Sequence, residues 1–329
     1  MSLYKYVTPE RIDILRNGLI RFTQPSAFND PFECKPVIRS LTRGIDLSQP
    51  ISIPPTKEIL SKAKIDFAAF RRRNRLPPLP PGTEKRYWVA MAKAIDSLAN
   101  FSLKETLEDE ESKAFIGKMF LGGLGTNLGV LSLAEKADNL LMWSHYAQQH
   151  TGFVIEFDDQ DSYFKRISAN VLKHDPLVLQ KVRYSDKRPH ITSLKNFEER
   201  ASWYLVKSKQ WKYEQEWRMM RRLVDGDVCL RLHNNRFVKM RRGELQQLVR
   251  ILEQGMRPEE VGYLHLFSLP PSCIKGIIVG CRMFRRDKLK MLRLLTRDTR
   301  YAHVKSYCAT IDESTFKLNI IPWESERPK

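Results

Sequence analysis

Apolar and polar positions along this chain switch between a period of two and a period near 3.6, and the switches mark its elements. Residues 3–7 alternate as a short apolar-aromatic strand. Thr8-Pro9-Glu10 then predicts a helix start, with Thr8 as N-cap and Pro9 at the first helical position. Ile12, Leu15 and Leu19 give that helix one apolar side, and Gly18 ends it. Residues 19–23 return to strand alternation. Pro25, Asn29, Asp30 and Pro31 make a turn-rich loop, in which Pro31 pushes Asp30 toward extended geometry.

Residues 40–125 differ in character. They carry the stretch RRRNRLPPLPPG and charged helical patterns around 84–99 and 104–118. This predicts a helical insertion with one proline-rich basic loop. Regular alternation then resumes. Residues 129–134 read as a strand. Asp138 is placed to cap a helix running through LLMWSHYAQQ toward Gly152. Residues 153–157, 178–184, 213–222 and 274–279 read as strands, and 196–209 as a helix. No internal repeat is present. The expectation is an α+β fold, one α/β domain over 1–329 with the 40–125 insertion inside it.

Composition narrows the class. The chain has 329 residues, 42% hydrophobic and 29% charged, which supports a full core rather than disorder. The uncharged stretch in the middle is too short and too rich in Gly, Ser, Thr and Asn to span a bilayer. The opening MSLYKYVTPERID lacks a basic-then-apolar leader. Cys34, Cys229, Cys273, Cys281 and Cys308 have no metal-ligand spacing, and their odd number argues against a closed disulfide framework. Reduced thiols in a cytoplasmic protein are the simplest reading.

Charge changes the picture. The formal net charge is +18, which predicts attraction to polyanions. Basic residues cluster at 71–73, 207–222, 236–250 and 282–300. In the last cluster Phe284, Leu289, Leu292 and Leu295 fall near helical spacing, so it reads as an amphipathic helix with a basic outer face. Arg285, Arg286 and Lys290 are the candidate nucleic-acid contacts on it.

Two segments could carry chemistry. In Tyr213-Glu214-Gln215-Glu216-Trp217-Arg218, strand alternation puts Glu214, Glu216 and Arg218 on one face. Two readings stand: a solvent-facing strand with a local ion pair, or a pocket in which one carboxylate stabilises positive charge. The helix segment Met142-Trp143-Ser144-His145-Tyr146 is the second. Its Ser144 and His145 are adjacent and do not face each other, so no Ser-His dyad follows. No phosphate loop, G-x-G-x-x-G, G-x-S-x-G or H-E-x-x-H pattern occurs.

The motifs FNDPFE at 28–33, MWSHYA at 142–147 and YEQEWR at 213–218, followed by IKGIIVGCRM, resemble an uncharacterised bacterial domain-of-unknown-function family. More distantly, the chain resembles the ADP-ribosyltransferase superfamily. The resemblance rests on an aromatic-basic first strand before Ile14-Leu15-Arg16-Asn17-Gly18-Leu19, and on Glu214-Gln215-Glu216 as a Glu-x-Glu strand. It implies a split mixed sheet with flanking helices, NAD as cofactor, and Glu216 as the carboxylate that stabilises an oxocarbenium-like ribose. Glu214 would serve the acceptor. Tyr4, Lys5, Tyr6, Asn29, Asp30, Ser144 and Tyr146 would bind cofactor, with Tyr146 stacking on nicotinamide. Lys5 stands where the superfamily usually holds His or Arg, a point charge without the planar fork of Arg.

The implied function is ADP-ribosyl transfer to a nucleic acid or other acidic target, as a toxin or defence effector. Competing expectations are a nucleic-acid-binding module with an inactive pocket, a tRNA-end phosphate-removing enzyme, and a metal-dependent nuclease using Asp30, Glu33, Glu156, Asp158 and Glu216.

Overall fold

The computed structural model describes residues 1–38, 56–73, 81–99, 111, 128–165, 179–191, 203–233, 236–239 and 263–323. The chain divides into two compact units. One comprises Met1–Val37, Gly117–His190 and Glu198–Lys329; the other comprises Ile38–Ile116 and Ile191–Phe197. The second unit contains the helices Thr56–Arg73 and Thr83–Ala99. The basic residues Arg71, Arg72 and Arg73 of the expected loop form the end of the first of these helices rather than a loop, while residues 74–80 and the helical pattern around 104–118 lie outside the described residues, Glu111 apart.

The first unit is mixed α/β, a large mixed sheet flanked by helices. Its eight strands run in the order Leu318–Pro322, Lys305–Ile311, Ile274–Val279, Phe153–Asp158, Ser2–Val7, Leu128–Ala134, Glu216–Arg222 and Gln180–Lys181. Ile274–Val279 and Lys305–Ile311 pair in parallel, and the helix Arg285–Arg297 lies between them in the chain. That is the connection a parallel pair requires. A four-stranded antiparallel sheet runs Arg236–Lys239, Val228–His233, Tyr263–Ser268, Leu19–Arg21. Leu3, Phe22, Ile155, Phe157, Ile277 and Cys308 are fully buried in the main core.

Between Ser2–Val7 and Leu128–Ala134 the register is limited to Tyr4 opposite Ala134. By contrast, Ser2–Val7 pairs with Phe153–Asp158 along its whole length. The sheet is therefore split beside its first strand. Lys5 reaches across the split, donating from Nζ to the Ser132 carbonyl at 3.2 Å.

Several local expectations need correction. Thr8 makes no side-chain cap; the chain first forms a 3-10 turn, Pro9–Ile12, before the helix Asp13–Asn17. Gly18 closes that helix with φ 61°, the left-handed geometry glycine tolerates. The cap of the helix Leu140–Tyr146 is Asn139, not Asp138: its side chain accepts from the Leu141 and Met142 amides. This helix stops at Tyr146 because Gln148, Gln149 and His150 all have positive φ and turn the chain back. Gly152 then packs so closely that a Cβ there would lie 2.1 Å from the Val7 carbonyl oxygen.

The predicted 178–184 strand is interrupted at Val182, between Gln180–Lys181 and Arg183–Ser185. Within the predicted 196–209 helix, Val206–Ser208 is a strand paired in parallel with Arg183–Ser185. Residues 196–202 lie outside the described residues. On the helix Arg285–Arg297, Phe284 and Leu289 are exposed, and Met291 and Leu295 form the buried face, one turn apart.

Candidate functional site

The predicted 213–222 strand begins only at Glu216. Lys209–Glu214 is a 3-10 turn capped by the Ser208 hydroxyl, and Gln215 adopts left-handed geometry with φ 45°. This kink, rather than strand alternation, aims both carboxylates inward. Glu216 also lies opposite Ala134, the residue that Tyr4 faces from the other side. The split sheet and the kink thus bring the first strand and Glu216 to opposite flanks of one residue.

A cleft of about 390 Å³ opens there. Its lining includes Tyr4, Lys5, Tyr6, Asn29, His145, Tyr146, Lys207, Glu214 and Glu216. Its size is that of a small-ligand site. Of the residues predicted for the site, Ser144 and Asp30 are not in the lining. Ser144 is exposed on the helix. Asp30 is buried, where its Oδ1 accepts from the Phe32 amide at 2.9 Å.

The floor of the cleft is a buried ion network. Lys207 Nζ donates to Glu214 Oε2 at 2.5 Å and to Glu216 Oε2 at 3.2 Å, and lies 3.5 Å from Glu33 Oε2. Arg218 Nε donates to Glu216 Oε1 at 2.7 Å and Nη2 to Glu216 Oε2 at 2.9 Å. Nη2 also donates to Glu33 Oε1. The Tyr146 hydroxyl donates to Glu214 Oε1 at 2.6 Å and accepts from Asn29 Nδ2 at 3.5 Å. All five charged side chains are buried. Buried charges persist only when paired, and here three carboxylates meet two cations.

The environment shifts several groups. Burial raises the Glu216 carboxyl above the ordinary carboxylate range; Lys207 opposes this and Glu214 adds to it. Lys207 is raised above the ordinary lysine value because the attraction of Glu216 and Glu214 outweighs its burial. Burial and the nearby Glu214 carboxylate raise the Tyr146 hydroxyl. Lys5 is lowered to about 8, first by burial and then by Arg11, with Glu216 opposing. A lysine with its pKa pulled down by burial therefore lines the same cleft as two carboxylates.

Lys207 and Glu33 complete this network, and local pattern does not assign either to it. Lys207 falls in a segment that reads as a helix, and Glu33 sits in a turn-rich loop. For Glu33 the signals were the FNDPFE motif, whose last residue it is, and its place beside Glu216 in the nuclease reading. Arg218 does share the face of Glu216, as alternation predicts.

Of the acidic residues of the nuclease reading, Glu33 and Glu216 meet in the ion network through Lys207 and Arg218, whereas Glu156 and Asp158 are engaged elsewhere. Glu156 accepts from the Ser2 hydroxyl at 2.6 Å, and Asp158 pairs with Lys275 at 3.2 Å. Among the described residues no group of three or more His, Cys, Asp or Glu is placed to hold a metal ion. Arg285 and Arg286 are exposed on their helix, as is Lys290, but Asp287 pairs with Lys290 at 2.9 Å and with Arg286 at 3.5 Å. No described helix is long and apolar enough to cross a membrane. None of the five cysteines is in a disulfide.

Residues 142–219 match a family model described as "Protein of unknown function (DUF2971)". The matched span runs from the start of the MWSHYA segment through YEQEWR and contains Tyr146, Lys207, Glu214, Glu216 and Arg218. The match supports an uncharacterised domain-of-unknown-function family and carries no biochemical assignment. No curated protein matches the chain, and no solved structure matches it.

Proposed function

We propose that the cleft binds the nicotinamide–ribose end of NAD and transfers the ADP-ribosyl group to an acidic target, most economically a nucleic acid. The observation that supports this is the meeting of Lys5, Tyr146, Glu214 and Glu216 in one cleft at the split of the sheet. The residues suit such a ligand. Tyr4 and Tyr146 offer aromatic surface to a cationic ring. Lys5 offers a cation to a phosphate or a donor to a ribose hydroxyl.

When bound, NAD supplies an N-glycosidic bond whose electron pair leaves with nicotinamide, while the ribose carbon takes a nucleophile from the acceptor. Glu216, held by the Arg218 fork and Lys207, presents a fixed carboxylate to the positive charge that develops on the ribose. Glu214 has fewer internal donors and takes the acceptor's proton. Tyr146 orients Glu214 through its hydroxyl.

One observation favours a second reading. Glu216 already accepts two bonds from Arg218 and one from Lys207, so its carboxylate is largely satisfied inside the protein. A network so complete is what a structural ion cluster also looks like. The alternative is a nucleic-acid-binding module with an inactive pocket. Incubation with NAD and nucleic acid separates the two. The transferase releases nicotinamide and loses that activity in Glu216→Gln. The module shows no heat of binding at millimolar NAD with its fold intact.

A further inference from the structure

We propose that a second, smaller pocket behind the FNDPFE loop is the acceptor subsite, and that it takes a single-stranded nucleic acid with one base stacked on Phe32. The proposal deepens the transferase reading, on which the word acceptor rests. The pocket has a volume of about 210 Å³ and lies between the loop carrying Phe32 and the segment 185–189. Glu33 and Lys207 line both this pocket and the cleft. A group held in the pocket is therefore separated from the reacting centre by a single ion pair.

The walls are built firmly. Asp30 is buried and accepts from the Phe32 amide through Oδ1, while its carbonyl accepts from the Glu33 amide at 3.2 Å. This winds the loop around Asp30 and turns Phe32 outward, 62% exposed. The Val37 amide donates to the Pro189 carbonyl at 2.8 Å and pins the loop's far end to the opposite wall. The Arg188 guanidinium sits 5.8 Å from the Phe32 ring. It is fixed there by Nε and Nη2, which donate to the Lys35 carbonyl at 3.0 and 2.6 Å.

The charge around the ring is one-sided. Among the described residues Lys35, Lys187, Arg188 and Lys209 are exposed, against one exposed carboxylate in the same wall, Asp186, which Lys209 pairs. An exposed aromatic ring within a group of cations is the equipment of single-strand binding: cations track phosphates and the ring stacks an unpaired base. A duplex keeps its bases stacked internally and has none to offer. An acidic peptide would use the cations and leave the ring idle.

The test is fluorescence anisotropy, without NAD, of a labelled single-stranded oligothymidine and of a duplex of the same length. The single strand is expected to bind more tightly than the duplex. Phe32→Ala is expected to weaken the single strand about tenfold, Phe32→Trp to retain it, and Lys187→Glu to weaken it in a salt-dependent way. Since the Phe32 ring is exposed, the melting temperature of Phe32→Ala should match the wild type. Two results would overturn the proposal: unchanged single-strand affinity in Phe32→Ala, or a duplex bound as tightly as the single strand. Loss of binding on charge reversal of Arg285, Arg286 and Lys290 alone would move the interface to their helix and overturn it as well. Nicotinamide release is read in a separate assay, so the acceptor subsite and the transferase reading fail independently.

Discussion

Arg218 and Glu216, two residues apart on one strand, form a two-pronged ion pair, Nε to Oε1 at 2.7 Å and Nη2 to Oε2 at 2.9 Å. The same guanidinium also donates from Nη1 to the Tyr204 carbonyl at 2.6 Å and from Nη2 to Glu33. Its side chain is wholly buried. One arginine thus ties the strand, the FNDPFE loop and the helical residues 203–204 together.

Removing that arginine should be costly. Arg218→Met would leave Glu33 and Glu216 buried with Lys207 alone, and an uncompensated buried charge costs about 3–5 kcal/mol. Urea unfolding should show the loss as a lower midpoint at unchanged slope. Arg218→Lys should recover little of it, because an ammonium cannot reproduce the fork. An unfolding free energy within about 1 kcal/mol of wild type would mean the network does not hold the fold.

A second stability effect belongs to His265, in the strand Tyr263–Ser268. Its ring is buried, Nε2 has no hydrogen-bond partner among the described residues, and burial lowers its pKa to about 4. The neutral ring is therefore favoured in the folded state. Above the ordinary value of about 6.5 the histidine takes nothing from stability. As pH falls from about 6.5 toward about 4 the unfolded chain takes up a proton that the folded chain refuses, and stability declines by up to about 3 kcal/mol. Thermal melts across that range should show the decline. In His265→Asn, whose amide nitrogen can keep the bond to the Leu223 backbone, the corresponding part of the slope should vanish.

How much of this was legible in the sequence varies by element. The first strand, Gly18 as a helix stop and the strand Ile274–Val279 all follow from patterns confined to a few residues, and they stand as read. Glu214 and Glu216 line one cleft, but strand alternation is not what brings them there. Alternation predicted a shared strand face, whereas the structure uses a 3-10 turn through Glu214 and a left-handed Gln215. Nothing in local propensity asks a glutamine to adopt that geometry; the buried network around it does. Lys207 shows the limit most clearly. Its partners lie in three places along the chain, Glu33, Glu214 and Glu216, and an amphipathic pattern carries no information about such long-range pairing. The stop of the 140–146 helix rests on the left-handed Gln148, Gln149 and His150, a geometry that local propensity does not ask of those residues either.

Lys5 gives the cleft a pH dependence. With its pKa lowered to about 8, it is charged at pH 7 and largely neutral at pH 9. Titration with ADP-ribose as probe should therefore show affinity falling across that interval, by at least about fivefold, the value of one phosphate contact screened as in bulk water. Lys5→Arg keeps the charge throughout and should flatten the profile. Lys5→Met should flatten it at the weaker level. A flat wild-type profile would take Lys5 out of ligand binding and leave its bond to the Ser132 carbonyl as its role.

The two carboxylates should separate in their effects, because their surroundings differ. Glu216 is clamped by Arg218 and Lys207, so it cannot follow a moving proton but can hold a charge in place. Glu216→Gln keeps size and reach and removes the charge. If that charge stabilises the ribose by several kcal/mol, nicotinamide release should fall on the order of a hundredfold or more. Glu214 is bound by one lysine and by the hydroxyl of Tyr146, a neutral donor. Glu214→Gln should reduce transfer to the acceptor more than it reduces nicotinamide release, since water can still take the ribose carbon without a base aimed at the acceptor. Tyr146→Phe should resemble Glu214→Gln in that ratio, because it leaves the carboxylate present but unoriented. Parallel assays of nicotinamide and of labelled acceptor give the ratio directly. Equal losses in both products for Glu214→Gln would show that the two carboxylates act as a unit, and the division of labour between them would have to be given up.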